Sequence, residues 1–169
     1  MDAAELRAIQ APIKERYNSD PSAAVITLKA RGLIEDEGIA CKVETGRALA
    51  IAGLHPATGG SGLELCSGDM LLEALVACAG VTLKSVATAI ELPLKAGNVI
   101  AEGDLDFRGT LGVDKEAPVG FAEIRLRFEV ATDAPQDKLD LLLKLTERYC
   151  VVYQTIRNGP RVSVSMKRV

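Results

Sequence analysis

Residues 67–92, SGDMLLEALVACAGVTLKSVATAIEL, decide the fold. Turning each residue about 100° on the last places Leu72, Val76, Ala79, Leu83, Val86 and Ile90 along one stripe. Glu73, Lys84 and Glu91 fall along the opposite side. The stretch therefore reads as a helix with a narrow charged face. Ser67 is its expected N-cap, Asp69 sits in the first turn where a carboxylate faces free amides, and Pro93 marks the exit. Cys78 lies roughly 140° around from Glu73, so it points into protein or into a cleft. The near-continuous apolar wall from Leu71 to Ala79 predicts packing on most sides and makes this helix the central element.

Outward from that helix, 169 residues fit one domain with a sizeable core. Aromatics are scarce and Trp is absent, so Leu, Val, Ile and Ala must fill the core. A net charge of −3 with Lys and Arg scattered leaves no electrostatic footprint for nucleic acid or an anionic membrane. The amino terminus is acidic, with no basic segment leading into an apolar run, and the most apolar window, Ala74 to Leu83, falls short of the ~20 residues that span a bilayer. A cytoplasmic location is the expectation.

Ahead of the central helix, Asp2 and Glu5 form a capping-box pattern, and Leu6, Ile9, Ile13 and Tyr17 make one apolar stripe that ends at Asn18-Ser19-Asp20-Pro21. Ala24 to Ala30 reads as a strand and Arg31 to Gly38 as a charged turn. Ile39 to Val43 and Arg47 to Ala52 read as two short strands joined through Glu44-Thr45-Gly46. Gly53 to Ser67 is a glycine-rich loop without the spacing of a phosphate-binding loop. Beyond the helix, Asn98 to Phe107 alternates as a strand. Phe121 to Val130 is the clearest strand, with Ile124, Leu126, Phe128 and Val130 alternating against Glu123, Arg125, Arg127 and Glu129. One dry and one wet face favour a largely antiparallel sheet. Asp133 is the expected cap of a second long helix, Pro135 to Gln154, with Leu139, Leu143, Thr146 and Cys150 inward. Val162 to Met166 reads as a last strand. The pattern is α+β in two layers, with no repeat or linker.

The four cysteines, Cys41, Cys66, Cys78 and Cys150, form no CxxC pair, and His55 is the one histidine, so no metal or cofactor is expected. Free cysteines in apolar helices are most often inert packing residues. Cys78 and Cys150, however, interrupt the buried sides of the two longest helices, and they meet if those helices cross there. Bridging them requires Cα atoms within about 7 Å. Cys41 follows strand alternation and reads as structural. Cys66 reads as a half-buried bystander or a second resolving thiol, His55 as a loop residue with an imaginable proton-handling role, and Tyr149 and Tyr153 as packing residues.

The segment ALVACAG in a long helix, the downstream ERYCVVYQT and the upstream VETGRALAIAGLHPATGGSG together resemble the OsmC/Ohr family, the osmotically inducible protein C and organic hydroperoxide resistance proteins. The likeness covers residues 24–169, leaving residues 1–23 as an N-terminal helical extension. It implies an intertwined homodimer, largely antiparallel sheets packed around long central helices, and active sites at the subunit interface. It further implies thiol-dependent reduction of organic hydroperoxides, with Cys78 as the peroxidatic and Cys150 as the resolving cysteine, Arg47 supporting the thiolate, and an external dithiol as reductant. A non-enzymatic member of the same fold, binding a small ligand or sensing thiol redox state, is the alternative. The glutamate that pairs with the arginine in the hydroperoxide reductase branch is replaced here by Gly68.

The chemistry asks for these residue types. A thiol near its ordinary pKa of about 8.5 is a poor nucleophile, and a guanidinium favours the thiolate and can stabilise the departing oxygen. Attack on the O–O bond leaves a sulfenic acid, which a second thiol condenses to a disulfide.

Overall fold

The Asp2 carboxylate accepts from the Glu5 amide at 2.8 Å and the Glu5 carboxylate accepts from the Asp2 amide at 2.9 Å, closing the capping box that opens helix α1 (Ala3–Ser19). The computed structural model describes residues 2–20, 31–34, 40–44, 49–112 and 114–168. Within them a four-stranded sheet, in order β1 (Arg31–Ile34), β2 (Ala40–Glu44), β3 (Leu49–Gly53) and β4 (Leu65–Cys66), precedes the central helix. The predicted hairpin is β2 against β3, antiparallel with Ala40 opposite Gly53 and Glu44 opposite Leu49. The segment read as a charged turn contains a strand instead: β1 pairs Arg31 with Glu44 and Ile34 with Cys41, because β2 offers it an open antiparallel edge. The strand expected over Ala24 to Ala30 lies outside the described residues, as do Thr45, Gly46 and Arg47.

Helix α2 (Ser67–Ala89) keeps the expected helical period, with a correction at its start and another along one flank, where Leu71, Ala74 and Ala77 of the apolar wall are exposed rather than packed. Cys66, not Ser67, is the N-cap, and no side chain caps it. The parallel pairing of Gly53 with Cys66 holds the backbone extended through Cys66, so Ser67 is already helical. At the other end the amide of Leu92 bonds the Ala87 carbonyl at 2.8 Å and that of Glu91 bonds Thr88 at 3.2 Å. This closure puts Glu91 at φ 57°, and the burial of Leu92 keeps it there. The helix is long and apolar enough to cross a membrane, which the short window read from sequence understated. Here it packs on β5, α4 and α5.

Strands β5 (Ala96–Leu105) and β6 (Phe121–Ala131) pair antiparallel, separated by the helical turn α3 (Phe107–Thr110). Ile124, Leu126, Phe128 and Val130 turn inward, half-buried, while Glu123, Arg125, Arg127 and Glu129 stay in water. All pairings between described strands are antiparallel except β3 with β4, which makes the fold α+β with largely antiparallel sheets. The core collects Leu83, Val86, Ala87 and Leu92 against Leu142.

The second long helix is broken. Helix α4 (Gln136–Tyr149) and helix α5 (Val151–Asn158) meet at Cys150, whose backbone is extended at φ −72°, ψ 108°. The β-branched pair Val151-Val152 weakens helical continuity there. Asp133 does not cap α4: its carboxylate takes the Lys95 ammonium, and Pro135 is the N-cap. Leu142 is buried where Leu143 was expected, and Leu143 is exposed. The strand expected over Val162 to Met166 does not form. This alternating segment finds no strand partner among the described residues, and Val162, Val164 and Met166 are almost fully exposed.

Candidate active site

The break at Cys150 carries its side chain, 1 % exposed, to Cys78 on the half-buried flank of α2. The two sulfurs interact and both cysteines are free. Their acidities move apart. Burial pushes the Cys78 thiol up, but the nearby Val152 amide, Cys150 thiol, Val151 amide and Thr82 hydroxyl outweigh it, so the Cys78 pKa is lowered. Burial pushes Cys150 up and proximity to Cys78 keeps it up, against the nearby amides of Tyr153 and Val152. Cys78 is thereby the more readily ionised of the two thiols, the division of roles a dithiol cycle requires.

Three of these supporting groups were not read from sequence. Thr82 lies four residues after Cys78 on the same helix, so i, i+4 spacing alone puts both on one face. The Val151 and Val152 amides are the first of α5, unpaired by helix geometry and therefore free to face an anion. The break that exposes them has no Gly or Pro to announce it.

Cys66 stands apart. Twelve residues along α2 separate it from Cys78, roughly 18 Å at helical rise, too far for a resolving role within the chain. It lines a cleft of about 340 Å³ with His55, Asp69, Leu72 and Phe107. His55 is held by structure: its Nδ1 accepts from the Ala57 amide at 3.0 Å and its ring stacks on Phe107 with centroids 4.8 Å apart. Gly68 opens on the same cleft, where a Cβ would make ordinary contact with Leu105, Phe121 and Cys66. Tyr153 is half-buried and accepts from the Arg157 guanidinium at 2.9 Å, as a packed tyrosine should. Tyr149 is 57 % exposed beneath Arg148, so it is not the packing residue the sequence reading made it.

A cleft of about 490 Å³ lies between β6 and α5, walled by Leu75, Ile124, Leu126 and Ile156 and rimmed by Glu123, Glu147 and Arg157. Leu75 is one turn before Cys78 and Tyr153 one turn after Cys150, so this space lies near the thiol pair although neither cysteine lines it.

A family model described as OsmC-like protein matches residues 60–165, which include α2, both cysteines and the break between them. The chain belongs to the OsmC-like family. No curated protein matches the sequence. Among solved structures, this OsmC-like chain is similar to an OsmC-like protein from Mycoplasma pneumoniae, at 14% identity over 79% of this chain and 89% of that one, with a TM-score of 0.65. An organic hydroperoxide resistance protein from Elizabethkingia anophelis is 14% identical over 80% and 91% of the two chains, with a TM-score of 0.62. A protein described as organic hydroperoxide resistance protein OsmC, from Legionella pneumophila, is 16% identical over 80% and 92%, with a TM-score of 0.61. At such identities these structures speak for the fold alone.

Proposed function

We propose that this OsmC-like chain reduces organic hydroperoxides through a Cys78–Cys150 dithiol cycle. The observation that carries the reading is the opposite poise of two adjacent free thiols, Cys78 lowered and Cys150 raised. The Cys78 thiolate attacks the terminal oxygen of the hydroperoxide. An S–O bond forms, the O–O bond breaks, and the alkoxide leaves to take a proton as the alcohol. The Cys150 sulfur then attacks the sulfenic acid, the S–S bond forms, and hydroxide departs with the Cys150 proton as water. An external dithiol returns two electrons to the disulfide.

Arg47, outside the described residues, is proposed to add its positive charge to the same thiolate. Val151, Val152 and Thr82 already favour that anion, so loss of the partner glutamate at Gly68 reshapes the arginine's surroundings without removing all support for Cys78. A cytoplasmic, reducing compartment would keep the pair ready.

A second copy of the chain is the proposed partner. Leu71, Ala74, Ala77 and Val81 form an exposed apolar stripe on α2, with Val81 73 % exposed, and the tail at Val162 to Met166 holds a strand pattern without a strand partner among the described residues. The domain is proposed to start at residue 24, with residues 1–23 as an added helix.

The cleft of about 490 Å³, lined by apolar and charged side chains alike, favours one other reading, a binding protein for a small ligand whose thiols do not turn over. Mixing reduced protein with cumene hydroperoxide in a single turnover separates the two. Rapid loss of one equivalent of peroxide with loss of both thiols supports the reductase, and unchanged peroxide supports the binder.

A further inference from the structure

In an unbroken helix the Val151 amide would bond the carbonyl four residues back, that of Glu147. Here that carbonyl is taken: the Gln154 side-chain amide donates to it at 2.7 Å. The Gln154 side-chain oxygen in turn accepts from Asn158 at 2.7 Å, which fixes the orientation of its amide. The Gln154 backbone amide bonds the Cys150 carbonyl at 2.9 Å, starting α5 on the far side of the break. Gln154 thus fills the acceptor that would otherwise pull Val151 back into a continuous helix, and Val151 and Val152 face Cys78 instead.

We infer that Gln154, braced by Asn158, is a positioning residue for Cys78, holding the chain extended at Cys150 so that the first amides of α5 stay directed at the Cys78 sulfur. Without it the Glu147 carbonyl is an unsatisfied acceptor, and the cheapest remedy is to take the Val151 amide and close the break. That closure withdraws amides from Cys78 and turns Cys150 away from it.

This inference rests on the reading of Cys78 as the reactive thiol, and it is tested without peroxide so that the two fail separately. The full-length reduced protein is alkylated with iodoacetamide across a pH series, and Cys78 is followed by its peptide mass. Gln154→Leu is expected to move the alkylation midpoint upward and to slow Cys78 about fivefold at neutral pH, the effect of one lost hydrogen bond. Gln154→Glu, whose ionised carboxylate has no proton to donate and adds a negative charge, should shift it at least as far. Thr155→Ala, an exposed change on the same helix, should keep the wild-type profile. An unshifted Gln154→Leu profile overturns the inference, and so does an equal shift in Thr155→Ala, which would mean that α5 merely frays. If Gln154→Leu does not fold, Asn158→Ala is read by the same criterion: a smaller upward shift supports the brace, and none overturns it.

Discussion

Cys150 faces Cys78 across the contact of α5 with α2, and the same proximity that lowers the pKa of Cys78 raises that of Cys150. One sulfur is thereby prepared to attack and the other to wait. This division follows from burial and from the amides at the start of α5, both of which are properties of the backbone path.

The pair makes stability depend on pH in two opposite ways. The lowered Cys78 pKa means that, between its folded value and the ~8.5 of an unfolded thiol, the unfolded chain binds more protons, so stability rises with pH in that window. Its contribution is complete above ~8.5 and lost as pH falls through the folded value. Cys150, raised, contributes stability below ~8.5 that is lost as pH climbs through its folded value. Urea titrations of reduced protein should show a midpoint that rises toward pH ~8.5 and then falls. In Cys78→Ser the rising limb should vanish, and a rising limb that persists would place its source elsewhere.

Thr82 tests the side-chain part of that support. Thr82→Val keeps the shape and removes the hydroxyl that donates to Cys78. Alkylation of Cys78 at neutral pH is expected to slow about fivefold, with little change in unfolding midpoint because Thr82 is only half-buried. An unchanged rate would remove Thr82 from the site.

Much of this architecture was legible in residue order. The period of 67–92 gave the central helix, the alternation of 121–130 gave β6, and Asp2 with Glu5 gave the start of α1, since each is a local pattern satisfied by its own neighbours. Cys78 and Cys150 are both candidates by position, but their meeting depends on a break that the β-branched pair Val151-Val152 favours only weakly. Gln154 must reach Glu147 for it to exist, a contact between side chain and backbone that no periodicity reports. The misplaced caps have a similar origin: β3 holds Cys66 extended and Lys95 draws Asp133 away, both from distant sequence. The tail at Val162 to Met166 shows the converse, a strand pattern that lacks its edge.

The N-terminal helix is expected to be dispensable for the site. Arg7 and Glu91 join α1 to the far end of α2 at 3.2 Å, with both side chains about two-thirds exposed, and such pairs contribute roughly 0–1 kcal/mol. Glu91 is roughly 20 Å along α2 from Cys78. Deleting residues 1–20 should lower the unfolding midpoint modestly and leave the Cys78 alkylation profile unchanged. Failure of the truncated chain to fold would make α1 an integral element.

The exposed stripe on α2 predicts self-association. Val81→Glu places a charge at the most exposed residue of the proposed contact and should convert a dimer to a smaller or unfolded species in sedimentation velocity. A wild-type protein that sediments as a stable folded monomer at micromolar concentration would remove the dimer from the account.

The central claim is tested most directly by mapping the disulfide formed when reduced protein meets one equivalent of cumene hydroperoxide. Wild type is expected to lose about two mass units and yield a Cys78–Cys150 peptide pair, Cys78→Ser to be untouched, and Cys150→Ser to stop at a sulfenic acid on Cys78. A wild-type protein that stays reduced, or a bridge that maps to Cys66, would contradict it.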